Sequence, residues 1–163
     1  MPRGEGRGIA RIAGAALLAA LTVGLPGCGG GGGGGTTSST PVPQRRQIHT
    51  VNFTVEGIFD AQAVGVPFDV ARSEFSTSAT GTLEAQCDWT FASNDIDIAI
   101  YRGSCTFDQF FAAQCSTLVE SVSPTAKPER VSAPNAPAGF YTLMIANFGA
   151  TKESGVCQIF LTS

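Results

Sequence analysis

Apolar and polar residues alternate with a period of two along six short segments, and no stretch of the chain shows a convincing helical period. The segments are residues 48–57, 65–73, 82–91, 95–101, 140–148 and 156–162. Glycine, proline, asparagine and serine punctuate the chain between them, as is typical of turns. This pattern predicts an all-β fold, an antiparallel jelly-roll-like β-sandwich. Residues 106–114 are rich in phenylalanine and irregular, with room for one helical turn.

The same alternation predicts which side chains face the core, since neighbouring residues of a strand point to opposite sides. The residues predicted to face inward are Leu83, Ala85, Cys87, Trp89, Phe91, Ile96, Ile98, Ile100, Tyr141, Leu143, Ile145, Cys157, Ile159 and Leu161. In segment 95–101 the residues predicted to face outward are Asp95, Asp97 and Tyr101.

The start of the chain has the features of an export signal. Three arginines in residues 3–11 precede an apolar run of about 14 residues, which is shorter than the ~20 needed to span a bilayer. The run ends in Leu25-Pro26-Gly27-Cys28, which resembles the lipobox of bacterial lipoprotein signal peptides. The resemblance implies that residues 1–27 are removed and that the Cys28 thiol is acylated. The alternative is an ordinary signal peptide in which Cys28 is incidental.

Residues 28–47 are predicted to form a flexible linker, because seven consecutive glycines, Gly29 to Gly35, are followed by threonine, serine and proline. The folded body then covers residues 48–163. Two or more acyl chains on Cys28 anchor a protein stably to a membrane. Gly29, rather than aspartate, follows that cysteine, which by resemblance to other lipoproteins favours the outer membrane. We therefore expect a lipid-anchored domain in the periplasm or at the cell surface.

Four cysteines remain in the body: Cys87, Cys105, Cys115 and Cys157. An even number in an exported domain predicts two disulfides, for which three connectivities exist. Cys105 and Cys115 bracket the irregular segment and are the natural local pair. Cys87 and Cys157 both lie on inward strand faces, where they could bridge two strands across the core. A zinc site is the rival interpretation, but the chain offers neither a CxxC spacing nor a nearby histidine.

Asp95 and Asp97 lie two residues apart and share one face of a predicted strand. Asp88 approaches them if a turn at residues 93–94 closes a hairpin. Three carboxylates so arranged predict a calcium site, because calcium prefers oxygen ligands. The alternative, which we favour, needs no cofactor: Asn94 and Asp95 shape a turn, and Asp97 is an outward-facing polar residue.

The sequence offers little support for catalysis or for nucleic-acid binding. His49 is the only histidine, and a Ser-His-Asp or Cys-His arrangement requires a base that is embedded and oriented by a third group. We expect His49 to be solvated at the edge of the domain, and Trp89 to be a core residue rather than a sugar-stacking platform. Residues 44–163 carry 7 basic and 12 acidic side chains, a net charge of −5, without a basic stripe. We therefore expect neither an enzyme nor a nucleic-acid partner.

Two stretches of the body carry a family resemblance. The run from Asp88 and Trp89 through Asp95 and Asp97 to Tyr101 resembles the W…DxDxxxY strand pair of pre-peptidase C-terminal domains. Residues 127–131 followed by 137–145 are similar to the E-x-V…aGtYtl hairpin of the same family. The resemblance covers residues 52–163 and implies a small jelly-roll β-sandwich. Such domains are usually appended to secreted proteases, where they are implicated in substrate or surface binding; here we expect the domain to stand alone on a lipid tether.

Together these features predict a non-enzymatic, lipid-anchored cell-envelope protein that acts as a binding or adhesion module for a carbohydrate or protein ligand. The alternative is a structural accessory subunit of an envelope protein assembly. A binding module is expected to expose an aromatic or acidic patch on one sheet face or loop rim. An accessory subunit is expected to co-purify with a protein partner.

Overall fold

A computed structural model describes residues 42–123 and 126–163. Eight strands and two short helices follow one another as β1 (Arg45–Val55), α1 (Ile58–Ala63), β2 (Asp69–Thr77), β3 (Gly81–Trp89), β4 (Ile96–Arg102), α2 (Phe107–Phe111), β5 (Ser116–Ser121), β6 (Glu129–Ala136), β7 (Gly139–Asn147) and β8 (Glu153–Thr162).

The strands form two four-stranded antiparallel sheets, with the orders β1-β8-β3-β6 and β2-β7-β4-β5. Except for β4 and β5, every pair of consecutive strands crosses from one sheet to the other. Eight strands arranged in this way in two packed sheets form a jelly-roll sandwich, as the alternating pattern predicts.

The core lies between the two sheets and contains the inward residues of the strands. In β4 these are Ile96, Ile98 and Ile100, each at most 1% exposed. The predicted inward residues of β7 and β8 are buried as well. These side chains fill the space between the sheets because successive residues of a strand point to opposite faces.

The second sheet is buried on both faces along part of its length. Tyr101 points away from the main core, as predicted, but it is buried in a second apolar cluster. The segment that contains α2 covers this outer face, and Phe110 packs against the same cluster. The sequence signal for this was the run Leu143 to Ala146, which is apolar on both sides of β7.

Several predicted boundaries and faces were wrong. Phe91 was predicted to face inward, but β3 ends at Trp89 and Phe91 is 55% exposed in the following loop. The strand predicted at residues 65–73 begins only at Asp69, after Pro67. Strand β6 runs as far as Ala136, although its last residues include Pro134 and Asn135, which are typical of turns. The segment 106–114 does contain a helical turn, α2.

Candidate functional site

Both predicted disulfides are present. Cys87 and Cys157 are bonded and stand directly opposite each other on β3 and β8, so this bond joins neighbouring strands of one sheet rather than the two sheets. Cys105 and Cys115 form the second bond, which closes a loop around α2. All four side chains are fully or largely buried.

The second disulfide and a capping box hold α2 in place. The Gln109 amide donates to the Thr106 hydroxyl, and the Thr106 amide donates to the Gln109 side chain, which satisfies two donors at the start of the helix. The amide of the buried Cys105 donates to Thr142 Oγ1 on β7 over 3.1 Å. These bonds fix α2 against the outer face of the second sheet.

Phenylalanine side chains gather beside α2 into a partly exposed surface. The members of this Phe shelf are Phe68, Phe107, Phe110, Phe111 and Phe148. The Phe68 ring lies at its centre, with its centroid 4.5 Å from that of Phe148 and 5.6 Å from that of Phe111. The rings of Phe110 and Phe111 meet edge to face at 5.3 Å. Such contacts are favourable geometries for aromatic pairs.

Next to the Phe shelf is a cavity of about 130 Å³, here called the acidic pocket. Its carboxylates are Asp97 and Glu120, and its rings are Tyr101, Phe110 and Phe148. Asp97 reaches it because β4 turns alternate residues, Asp97, Ala99 and Tyr101, away from the core. The pocket thus combines aromatic walls with two acidic groups.

The electrostatics of Asp97 are unusual. Burial, with smaller contributions from the negative charges of Asp95, Glu129 and Glu120, raises the pKa of Asp97 to about 6. One carboxylate oxygen of Asp95, of Asp97 and of Glu129 is buried without a hydrogen-bond partner among the described residues. Asp97 therefore points away from the core, as predicted, but it is partly buried rather than fully solvated.

Asp88 does not join Asp95 and Asp97. It lies on β3 in the first sheet, whereas Asp95 and Asp97 belong to the β4 segment in the second. The Asp88 carboxylate accepts a bond of 2.9 Å from Lys127 Nζ, which keeps the pKa of Asp88 below its usual value. In residues 42–123 and 126–163 no three His, Cys, Asp or Glu side chains are placed to share a metal ion. The predicted three-carboxylate arrangement is therefore wrong.

Asn94 does shape the turn before β4, through a buried network that sequence reasoning missed. The backbone amide of Asn94 donates to the Phe91 carbonyl over 3.0 Å, and its side-chain Nδ2 donates to Glu153 Oε2 over 3.0 Å. Glu153 is 1% exposed and also accepts backbone amides of Thr90, Phe91 and Ser154. A Cβ at Gly149 would lie 2.3 Å from Asn94 Oδ1, so this network needs glycine there.

His49 is half-buried rather than solvated, contrary to expectation. Its Nε2 lies 2.9 Å from Ser73 Oγ, and its ring stacks on Phe75 with centroids 5.8 Å apart. Within the described residues no carboxylate bonds to His49. A Ser-His pair of this kind lacks the third group that orients a catalytic base.

Cys28 and the predicted signal and linker lie outside the described residues, apart from the end of the linker. Arg45, predicted to be part of that linker, begins β1 opposite Thr162. Among the described residues no helix has the length and apolar character required to cross a membrane.

Comparison with known proteins adds little. No family model matches the chain, and no curated protein does. Among solved structures, the crystal structure of PirA is 14% identical, covers 79% of this chain and 100% of that chain, and has a TM-score of 0.35. A similarity this weak carries no argument about fold or function. The resemblance to pre-peptidase C-terminal domains therefore stays a prediction.

Proposed function

We propose that this protein is a non-enzymatic binding module of the bacterial cell envelope and that the Phe shelf contacts its ligand. The observation that carries the proposal is the exposure of this clustered aromatic surface: Phe107 is 44%, Phe111 42% and Phe148 36% exposed. Single exposed apolar side chains are normal on protein surfaces, whereas contiguous apolar patches mark interaction sites.

The shelf is held in place before any ligand arrives. The Cys105–Cys115 bond closes the loop that carries α2, and the capping box fixes the first turn of that helix. A binding surface that is already ordered loses less conformational entropy on association. Rigid rings with few rotatable bonds add to this advantage.

A carbohydrate is the ligand class that the surroundings of the shelf favour. Asp69 and Asp108 line a second cavity, of about 330 Å³, together with Phe68, Phe107 and Phe111. Ring faces offer apolar surface to the C–H groups of a sugar, while carboxylates accept hydrogen bonds from its hydroxyls. A few polar groups around an aromatic surface are typical of small-ligand sites.

The sequence and the disulfides support a place of action in the cell envelope. Two disulfides are compatible with a periplasmic or extracellular location, since such bonds persist in oxidising compartments. The Leu25-Pro26-Gly27-Cys28 ending supports acylation of Cys28, and Gly29 after this cysteine favours attachment to the outer membrane. The resemblance to pre-peptidase C-terminal domains supports a role in surface or substrate binding.

A glycan array probed with purified protein tests the proposal. Phe111→Ala is expected to reduce glycan binding at least tenfold. The matched control is Phe140→Ala. Phe140 is 46% exposed, but it lies near the start of β7, whereas Phe148 follows the end of that strand. Equal glycan binding by the two variants contradicts the role of the shelf.

Crosslinking in the native membrane tests the alternative, an accessory subunit. A single protein partner that crosslinks to the wild type and to Phe140→Ala but not to Phe111→Ala, together with no glycan binding, would favour that alternative. Glycan binding that depends on Phe111, without such a partner, supports the binding module.

A further inference from the structure

The acidic pocket owes its shape to the register of the second sheet. Ala99 pairs with Glu120 on β5 and with Met144 on β7, and Asp97 pairs with Ala146. Because the alanine side chains are small, they leave a depression in this face of the sheet. Its volume of about 130 Å³ is similar to that of an engineered cavity of about 150 Å³ that admits benzene. The pocket therefore has room for a group of five or six heavy atoms.

The negative charge of the pocket is not neutralised within the described residues. Their ion pairs join Arg45 to Glu84, Arg72 to Glu74, Lys127 to Asp88 and Lys152 to Glu56. Asp95, Asp97 and Glu120 belong to none of them. One oxygen of Asp97 is buried and accepts no hydrogen bond from any described residue. A buried acceptor without a donor is unfavourable, so this carboxylate favours hydrogen-bond donors in its surroundings.

Three ring systems border the same space. The rings of Tyr101 and Phe110 meet edge to face, with centroids 6.0 Å apart, and Phe148 lines the pocket from the Phe shelf. Aromatic faces attract cations that lie within about 6 Å of the ring centre. Anionic groups together with aromatic rings make this pocket complementary to an organic cation.

We propose that the acidic pocket binds the primary ammonium group of a ligand. The carboxylates of Asp97 and Glu120 supply the opposite charge, and the rings pack against the attached alkyl carbons. A primary ammonium donates three hydrogen bonds to carboxylate oxygens, whereas a quaternary ammonium donates none. The inference deepens the proposed function and rests on it, since it names one group that the ligand of this binding module carries.

Binding of an ammonium group is expected to weaken in mild acid. The groups that face Asp97 are Asp95 in the preceding loop, Glu120 on β5 and Glu129 on β6, and all of them are acidic. Burial and these neighbours raise the pKa of Asp97 to about 6, so its carboxylate is charged at pH 7.5 and largely protonated at pH 5. A primary amine stays protonated over this range. The affinity is therefore expected to fall between pH 7.5 and pH 5.

Titration of the purified full chain with butylammonium, followed by NMR, tests the proposal. Tetramethylammonium and sodium chloride at equal ionic strength are the reference cations. Butylammonium is expected to shift resonances of Asp97, Tyr101 and Glu120 with a dissociation constant at least tenfold lower than that of tetramethylammonium. Glucosamine and Nα-acetyl-lysine amide, whose side-chain ammonium is free, then distinguish a sugar-borne ammonium group from a peptide-borne one.

Two variants that keep the shape of the side chain isolate the charges. Asp97→Asn is expected to weaken butylammonium binding at least tenfold, and Glu120→Gln several-fold. The matched control is Glu84→Gln on β3, whose carboxylate pairs with Arg45 on β1. Both residues belong to the first sheet, whereas the acidic pocket lies on the second. This control is expected to bind like the wild type. Glu120 is exposed on the edge strand β5, so its variant tests the charge even if Asp97→Asn does not fold.

Equal binding of butylammonium and tetramethylammonium, or unchanged binding by both Asp97→Asn and Glu120→Gln, overturns the proposal. Neither result affects the Phe shelf, whose test is glycan binding by the Phe111→Ala variant. Conversely, loss of the shelf function in Phe111→Ala does not predict loss of butylammonium binding, because Phe111 does not line the acidic pocket. The two proposals therefore fail separately.

Discussion

Replacement of Glu153 by glutamine is expected to destabilise the protein strongly. Oε1 accepts the amides of Thr90 and Ser154 over 3.0 and 2.9 Å, and Oε2 accepts the Phe91 amide and the Asn94 side chain over 2.9 and 3.0 Å. Glutamine keeps the shape but puts an NH₂ group in the place of one oxygen. That group is a donor facing donors, so two of the four bonds are lost.

The magnitude follows from the number of lost bonds. A hydrogen bond to a charged group contributes about 1.5–3 kcal/mol, so the loss of two lowers the free energy of unfolding by about 3–6 kcal/mol. At about 4 °C per kcal/mol for a domain of this size, the melting temperature falls by about 12–24 °C. Glu84→Gln is the control, since an exposed ion pair contributes about 0–1 kcal/mol.

Urea unfolding followed by the fluorescence of Trp89 measures both variants. Trp89 is the only tryptophan and is 6% exposed, so its emission reports loss of the core. If Glu153→Gln costs no more than Glu84→Gln, the four-bond network does not stabilise the fold and the reasoning fails.

The effect of Glu153 also depends on pH. Burial raises its pKa, but the hydrogen bonds from Phe91, Asn94, Ser154 and Thr90 outweigh this effect and keep the pKa below its ordinary value of 4.5. A lowered folded-state pKa means that the unfolded chain binds the proton more readily. The stabilisation is therefore present above about pH 4.5 and is lost as the pH falls through the folded-state pKa. The difference between wild type and Glu153→Gln is expected to shrink in acid.

Other outcomes are open to simpler tests. Cys28→Ala is expected to abolish fatty-acid labelling of the protein, and labelling that persists contradicts acylation at this residue. Replacement of Cys105 and Cys115 together by serine is expected to lower the free energy of unfolding by about 3 kcal/mol in urea, because the bond closes a loop with a sequence separation of 10. Millimolar calcium is expected to leave the melting temperature unchanged; a calcium-specific rise that Asp95→Asn with Asp97→Asn removes would establish a site.

Period-two alternation was enough to predict six of the eight strands, but it missed β5 and β6, although Val131 and Ala136 of β6 lie in the core. It placed Ile96, Ile98 and Ile100 correctly because each strand is buried on its inner face. It also placed Cys87 and Cys157 on inner faces, which made their pairing predictable.

The acidic pocket and the Glu153 network were not predictable from local pattern. Asp97 and Glu120 meet only because β5 pairs beside β4, and strand pairing is not written in either segment alone. Glu153 resembles an ordinary surface carboxylate at a strand start, and its burial depends on the loop that contains Asn94. In the same way, Tyr101 is covered by a helix whose docking depends on a disulfide.

The two ends of β1 mark the two poles of the sandwich. The chain enters at Arg45, opposite Thr162, and reaches Val55, opposite Glu153, after about 33 Å of extended strand. Phe68 and Phe148 lie at the Val55 end, where Asn147 donates to the Glu56 carbonyl over 3.0 Å. The first described strand therefore starts at one pole of the sandwich, and these two rings lie at the other pole. A ligand that binds these rings contacts the domain at the pole farthest from Arg45.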